Sequence, residues 1–454
     1  MSNEIKGDNM SYQKPVINRV DFAMASKYGS PLKSQKIREN IEGISVRELT
    51  QKYGSPLFVF SEREIEEKYN KLHNAFSSRY PKVQFGWSYK TNYLNAICKV
   101  FHKLGSIAEV VSEFEYQKAR ALGIDGKDII FNGPYKPKDA LKVAVKEGAK
   151  IHIDHLFEIN DLEEIADELG VTIPVAIRVN MDTGIYPQWS RFGFNYDNGE
   201  AYEAVRRIHK NNKLILNGLH THIGTFMLES NAYKIAAEKL MRLKNQVEKD
   251  FGYNIEYIDL GGGFASKNHL KGIYQSPEVI VPTADDYAEA ITSAIYENNN
   301  SEELPLLYLE TGRHLIDEAG YLLTSVWGYK RFPDGKKGYI LDAGVNLLYT
   351  STWYNFNIEL DKRYEGLNEP SMLNGPLCMN IDVINENIQL PPLDRGSVLT
   401  ISPVGAYNIT QAMQFIRYRP AVVLIDKEKN VHVIKEAEDL ETVNYKEKIP
   451  DYLK

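Results

Sequence analysis

A lysine closes an apolar run. Val83-Gln-Phe-Gly-Trp87 leads directly into Ser88-Tyr-Lys-Thr-Asn92, so Lys90 falls at the C-terminal end of a candidate buried strand. Desolvation lowers an amine's pKa and makes it a nucleophile able to form a Schiff base. The plainer reading is a lysine that reaches water from a strand end. Other chemical residues follow downstream. Asp259-Leu-Gly-Gly-Gly-Phe264 places Gly261, Gly262 and Gly263 in a row, leaving backbone N–H groups unobstructed for a phosphate, or simply forming a tight turn. It lacks the lysine of a Walker loop and the spacing of a dinucleotide fingerprint. His220 and His222 stand two apart on one strand face. No third ligand has suggestive local spacing, so no metal is expected. His220 reads as a core histidine, and His222, next to Gly224, as a ring able to lie on a planar cofactor. In Glu310-Thr-Gly-Arg313 a carboxylate could hold a protonated ring nitrogen and an arginine a phosphate or carboxylate; a salt-bridged strand end is the alternative. Cys378, in Gly375-Pro-Leu-Cys378, reads as a proton donor or as a small buried hydrophobe.

These residues need elements to position them. Nine β-like runs alternate with helical patterns between Leu57 and Glu310. The runs are 57–60, 83–87, 107–111, 128–131, 150–154, 174–180, 214–220, 255–260 and 306–310. Repeated βα units over about 250 residues predict a (β/α)8 barrel rather than an open doubly wound sheet. Barrel function gathers at the C-terminal strand ends, and that is where Lys90, Glu109, Arg178, His222, Gly261–Gly263 and Glu310 fall. Beyond about residue 318 the helical periodicity fades. The runs 321–332, 338–343, 397–403, 414–419, 421–425 and 431–434 predict an all-β domain. The expected division is a lead-in segment over 1–45, a barrel over 46–317 and a β domain over 318–454.

Bulk properties narrow the class. With 454 residues, two domains are expected. A net charge of −7 and the lack of a basic run speak against nucleic acid. No apolar stretch approaches the ~20 residues that cross a bilayer. The two cysteines, Cys98 and Cys378, match no disulfide or zinc spacing, and a reducing, cytoplasmic location is expected.

Taken in order, these segments resemble the fold type III pyridoxal-phosphate enzymes, the family of diaminopimelate, ornithine and arginine decarboxylases. Tyr53-Gly-Ser-Pro-Leu-Phe-Val-Phe60, Tyr89-Lys-Thr-Asn92, Glu109-Val-Val-Ser112, His220-Thr-His-Ile-Gly224, Gly261–Gly263, Glu310-Thr-Gly-Arg313, Gly375-Pro-Leu-Cys378 and Gly405-Ala-Tyr407 carry the likeness, from about residue 53 to 407. The resemblance implies an alanine racemase-like fold: a pyridoxal-phosphate-binding barrel, a C-terminal β domain joined by the N-terminal segment, and a homodimer with shared active sites. Lys90 would hold the cofactor covalently. Glu109, Arg178 and Gly312 would line its site, and Gly261–Gly263, Arg313 and Tyr407 would take its phosphate. Glu310 would keep the pyridine nitrogen protonated, His222 would stack on the ring, and Cys378 would return a proton across the subunit boundary. Arg313, Tyr354, Met379 and Asp382 would face the substrate.

The departures from the family pattern concern the substrate's far end. Met379 stands where diaminopimelate decarboxylases usually have glutamate, and Thr350 where they have arginine, although Tyr354 is kept. Losing one partner of a desolvated charged contact costs about 2–5 kcal/mol. The expectation is therefore an amino-acid decarboxylase with a different substrate, conjugated or bound to a carrier protein. The alternatives are an authentic diaminopimelate decarboxylase making L-lysine, a racemase or an inactive pyridoxal-phosphate-binding regulator. Racemases of this plan usually carry arginine where Glu310 stands and tyrosine in place of the cysteine. Glu109 for a usual aspartate and Thr311 for a usual proline are milder changes.

Overall fold

A computed structural model describes residues 35–454, so most of the expected lead-in segment lies outside the described residues. The barrel strands are β1 (Val83–Ser88), β2 (Ile107–Val110), β3 (Ile129–Phe131), β4 (Lys150–Ile153), β5 (Ile173–Asn180), β6 (Leu214–His220), β7 (Tyr257–Asp259) and β8 (Leu306–Thr311). Each pairs in parallel with its neighbours in sequence. β8 returns to β1, with Glu310 opposite Gly86 and Thr311 opposite Trp87, and this closes the sheet. Closure excludes the open doubly wound alternative.

Helices wrap the barrel because their apolar residues recur at helical spacing. Leu156–Leu169 buries Ile159, Leu162, Ile165 and Ala166 and leaves Glu164 and Asp167 to solvent. It stops at Gly170, whose left-handed backbone suits a helix C-terminus. Ala284–Asn298 starts in a reciprocal cap between Thr283 and Asp286. No helix among the described residues is long and apolar enough to cross a membrane.

The run at 57–60 is a correction. Leu57–Ser61 is a strand, but it pairs antiparallel with Gly320–Arg331 and parallel with Val422–Ile425, outside the barrel. All five of its residues are buried. A strand covered on both faces reads as continuous apolar sequence in either sheet, so the pattern reports burial and not the partner. The second sheet continues through Lys337–Leu341, Glu369–Asn374 and Val383–Leu390 on one side and ends at Val431–Lys435 on the other. Val398–Ser402 pairs with Gly320–Arg331 and with Asn357–Leu360. The strands at 357–360, 369–374 and 383–390 were not expected. The run at 414–419 is not a strand; only a bridge between Phe415 and Arg417 forms there. A short helix, Leu440–Asn444, follows the last strand. At the other end of the chain, the Arg38 N–H donates to the Leu360 carbonyl at 2.8 Å, so residues 35–45 lie against this sheet.

Inside the barrel, Ile130, Ala176, Tyr257 and Tyr308 form an apolar plug. Strand alternation sends Arg178, Asp259 and Glu310 to the same side two residues further on, towards the C-terminal mouth. The polar groups of the mouth therefore stand on a packed floor. Gly218 on β6 makes room for the Tyr257 ring, since a Cβ there would lie 2.2 Å from a ring carbon. Gly218→Ala is expected to destabilise the fold by about 1–3 kcal/mol through overpacking. A lowered denaturation midpoint with an unchanged slope in urea would register it.

Candidate active site

Lys90 sits in the single turn Tyr89–Thr91 that follows β1. Its backbone is clamped from the second domain. Thr410 Oγ1 donates to the Lys90 carbonyl at 2.9 Å, and the Tyr407 N–H donates to the Thr91 carbonyl at 2.8 Å. Below it, the buried Tyr89 hydroxyl meets His102 Nε2 at 2.8 Å. Lys90 Nζ donates to Glu109 Oε2 at 2.6 Å, and Glu109 on β2 is wholly buried. Burial pushes the amine down, but the Glu109 and Glu310 carboxylates outweigh it and hold Lys90 above its ordinary value. This corrects the expectation that desolvation lowers Lys90. Adjacent anions dominate, so the amine stays charged until a proton is taken from it.

Glu310 projects from β8 into the same cavity. Its Oε1 accepts from Asn132 Nδ2 and lies 3.4 Å from His220 Nε2. Burial raises its pKa, against the pull of Lys90 and Arg178. Asp259 on β7 is its buried neighbour. His152, whose Nε2 meets the Tyr257 hydroxyl at 3.2 Å, stacks on His220. His152, His220, Asp259 and Glu310 thus converge within 4.8 Å from four strands. Lys90 and Arg178 already place positive charge in this cavity, so no metal ion is assigned there.

His222 follows β6. The Gly262 N–H donates to its Nδ1 at 3.1 Å, which fixes the ring plane and puts any ring proton on Nε2. Burial, then Arg178 and Lys90, hold this imidazole well below its usual value, so it is neutral. Trp189 packs beside it, with ring centres 5.5 Å apart. The glycine row is less open than expected. The Gly261 N–H donates to Asp259 Oδ1 at 2.8 Å, so two of the three amides serve protein acceptors. A Cβ at Gly262 would lie 2.1 Å from the Glu310 carbonyl oxygen, so glycine is needed there for strand packing. Arg178 on β5 lies 3.7 Å from Asp154 Oδ1 and over the Phe192 ring.

Arg313 opens a short helix, directly after Gly312. Its buried guanidinium reaches Asp317 Oδ2 at 3.3 Å and lies about 5 Å from the ring centres of Tyr354 and Tyr407. Its Nε has no partner among the described residues. Cys378 is exposed on the second domain, with Met379 half-buried beside it. Asp382 is buried, and its carboxylate accepts from the Val345 N–H at 2.8 Å and the Leu377 N–H at 2.7 Å. These bonds shape the Cys378 loop. Thr350 is buried, and its N–H and Oγ1 both engage Asn408 Oδ1, at 3.2 and 3.0 Å.

Residues 62–317 match the family model described as pyridoxal-dependent decarboxylase, pyridoxal binding domain. The chain belongs to this family. It is 31% identical over 428 residues to the diaminopimelate decarboxylase of Methanocaldococcus jannaschii, covering 91% of this chain and 95% of that protein. The Bacillus subtilis diaminopimelate decarboxylase is 26% identical, over 92% of this chain and 96% of its own length. A crystal structure of the M. jannaschii enzyme with L-lysine superposes with a TM-score of 0.83, at 30% identity, over 91% of this chain and 96% of the other. The protein is a pyridoxal-phosphate-dependent carboxy-lyase with the alanine racemase-like fold.

The side chains present fit that cofactor. A buried, unpartnered Arg313 Nε suits an anion, and the unpartnered Glu109 Oε1 and Asp259 Oδ2 show that the cavity was not built to satisfy itself. Composition and spacing did not single out Asn132, Asp317, Trp189 or the site role of Asp259. Asn132 and Asp259 were visible only as strand-end polar residues, one of many such signals in a decarboxylase barrel. Two variants test the lysine. Lys90→Ala is expected to abolish the absorbance of lysine-bound pyridoxal phosphate. Glu109→Gln removes the carboxylate that raises the amine. The pH midpoint for capture of added pyridoxal phosphate should then fall by about 1–3 units, read from the rate of band formation.

Proposed function

We propose that this decarboxylase removes the α-carboxyl group from a free amino acid of the diaminopimelate type, as its named relatives do. The observation that carries this is the convergence of Lys90, Glu109, Glu310 and Arg313 on one barrel mouth, in a chain similar along nine-tenths of its length to diaminopimelate decarboxylases. Pyridoxal phosphate, when bound, supplies the electron sink for the departing CO2. The chain's residues supply the rest. Lys90 would hold the cofactor, with Glu109 accepting its proton. Glu310, steadied by Asn132, would keep the pyridine nitrogen protonated. His222, fixed by Gly262, would cover one ring face. Arg313 would bind an anionic group, and Tyr407 would hold the phosphate side of the cavity. Gly262 lets the turn after β7 pack on β8, Gly261 and Gly263 let it pack on the segment after β6, and the Gly263 amide would be the one open to a phosphate.

Two residues favour a second reading of the substrate's far end. Thr350 is engaged by Asn408 and Met379 carries no charge, so neither offers a distal ionic grip. A substrate with a less charged distal group fits this better than free diaminopimelate. A conjugated or carrier-bound substrate draws no support from the relatives, which are named for diaminopimelate. A CO2-release screen over meso-diaminopimelate, lysine, ornithine, arginine and conjugated amino acids separates these readings. Efficient turnover of meso-diaminopimelate alone supports the first; turnover of another amino acid about tenfold or more faster supports the second. A D/L mixture without CO2 would instead mean racemisation.

The exposed Cys378 supports a site completed by a second copy of the chain. If so, Lys90→Ala and Cys378→Ala subunits, each inactive, should recover about one quarter of wild-type activity when mixed and reassociated. A mixture as inactive as its components would exclude sharing.

A further inference from the structure

The charges at the barrel mouth do not balance pair by pair. Four carboxylates enter it: Glu109 from β2, Asp154 after β4, Asp259 from β7 and Glu310 from β8. Two cations meet two of them, Lys90 on Glu109 at 2.6 Å and Arg178 beside Asp154 at 3.7 Å. Lys136, the next cation outward, is taken by Glu158 at 2.6 Å. The other polar groups around the pair are Asn132, just after β3, His152 from β4 and His220 from β6, with His222 two residues beyond it. The three histidines are neutral, because burial holds each imidazole well below its usual value. Asp259 and Glu310 are therefore two buried acids, close together, neither in an ion pair with a lysine or arginine among the described residues, although Lys90 and Arg178 act on Glu310 from a distance.

Two adjacent carboxyl groups in such a place cannot both ionise. Their hydrogen bonds indicate which keeps the proton. Glu310 Oε1 already has a donor in Asn132. Asp259 Oδ1 accepts from the Gly261 N–H, while its Oδ2 is buried without a partner. We propose that Asp259 carries a proton on Oδ2 and donates it in a hydrogen bond to the Glu310 carboxylate, making Asp259 the positioning residue that keeps Glu310 anionic. Burial and the Glu310 charge, both of which drive Asp259 upward, agree with this. The functional consequence rests on the reading of Glu310 as the partner of the pyridine nitrogen.

Infrared difference spectroscopy and cofactor titration of the full-length protein test it. At neutral pH, wild type minus Asp259→Asn should contain the carbonyl stretch of a protonated carboxylic acid. Asparagine keeps an acceptor for Gly261 and a donor for Glu310, whereas alanine keeps neither. Asp259→Asn should therefore bind pyridoxal phosphate about ten- to a hundredfold more tightly than Asp259→Ala, the loss of one hydrogen bond to a charged group. The proposal is overturned if no protonated-acid band is found, or if the two variants, both folded by circular dichroism, bind equally weakly. If Asp259→Ala does not fold, the infrared band decides alone. A band lost in Asp259→Asn, with cofactor affinity unmoved in both variants, upholds the proton placement and overturns the role given to Glu310.

Discussion

The 2.6 Å contact between Lys90 Nζ and Glu109 Oε2 joins two groups that burial alone would drive to neutrality. Glu109, with Glu310, holds the amine charged, and Lys90 in turn pulls against the burial that raises Glu109. Such a pair adds little to stability, since the desolvation of both ions offsets much of their attraction. On the proposed function its value is chemical: the amine that would hold the cofactor is stored, protonated, beside a carboxylate that could take its proton. The arrangement works only if the lysine cannot swing away. That is why the Tyr407 and Thr410 contacts to the turn backbone matter, although neither touches the amine.

Those contacts come from the second domain, so the barrel does not complete the site by itself. The chain makes this dependence structural. It runs through the second sheet at Leu57–Ser61 before it enters the barrel and returns to that sheet at Gly320. Both ends of the barrel segment are thereby tied into one sheet. Arg313 lies near this return, with Asp317 on one side and the rings of Tyr354 and Tyr407 on the other. Its position is thus shared between the domains, which suits the anion-binding role proposed for it.

The barrel was legible in the sequence because each βα unit carries two periodicities, and eight of the nine runs fell within a few residues of real barrel strands. The ninth, Leu57–Ser61, misled because full burial looks alike in both sheets. Val383–Leu390 was missed because Asn385, Glu386 and Asn387 interrupt its apolar pattern, and only two of its eight residues are buried. Within the site, Lys90, Glu310 and Arg313 could be read from motif order. Asn132, Asp259 and His152 could not be grouped with Glu310, because barrel closure brings together residues more than fifty positions apart. The direction of the Lys90 shift was misread for the same reason: burial is a local inference, whereas the opposing carboxylates arrive from β2 and β8.

Conservation of chemistry and change of specificity are separable in this fold. The groups proposed to act at the α-carbon end stand at strand termini, where a shift of one residue would disturb a closed sheet; the Glu310 backbone N–H, for example, is bonded to the Gly261 carbonyl at 2.7 Å. The groups expected to read the far end lie on loops of the second domain. Thr350 fills a buried position and satisfies itself against Asn408, and the Cys378 loop is held by Asp382 through backbone bonds that do not depend on the residue at 379. Loops anchored in this way accept substitution at their tips at little cost in stability. On the proposed reading, the half-buried residue at 379 is such a tip and can vary without moving Lys90 or its carboxylates, whereas Thr350, buried against Asn408, is not.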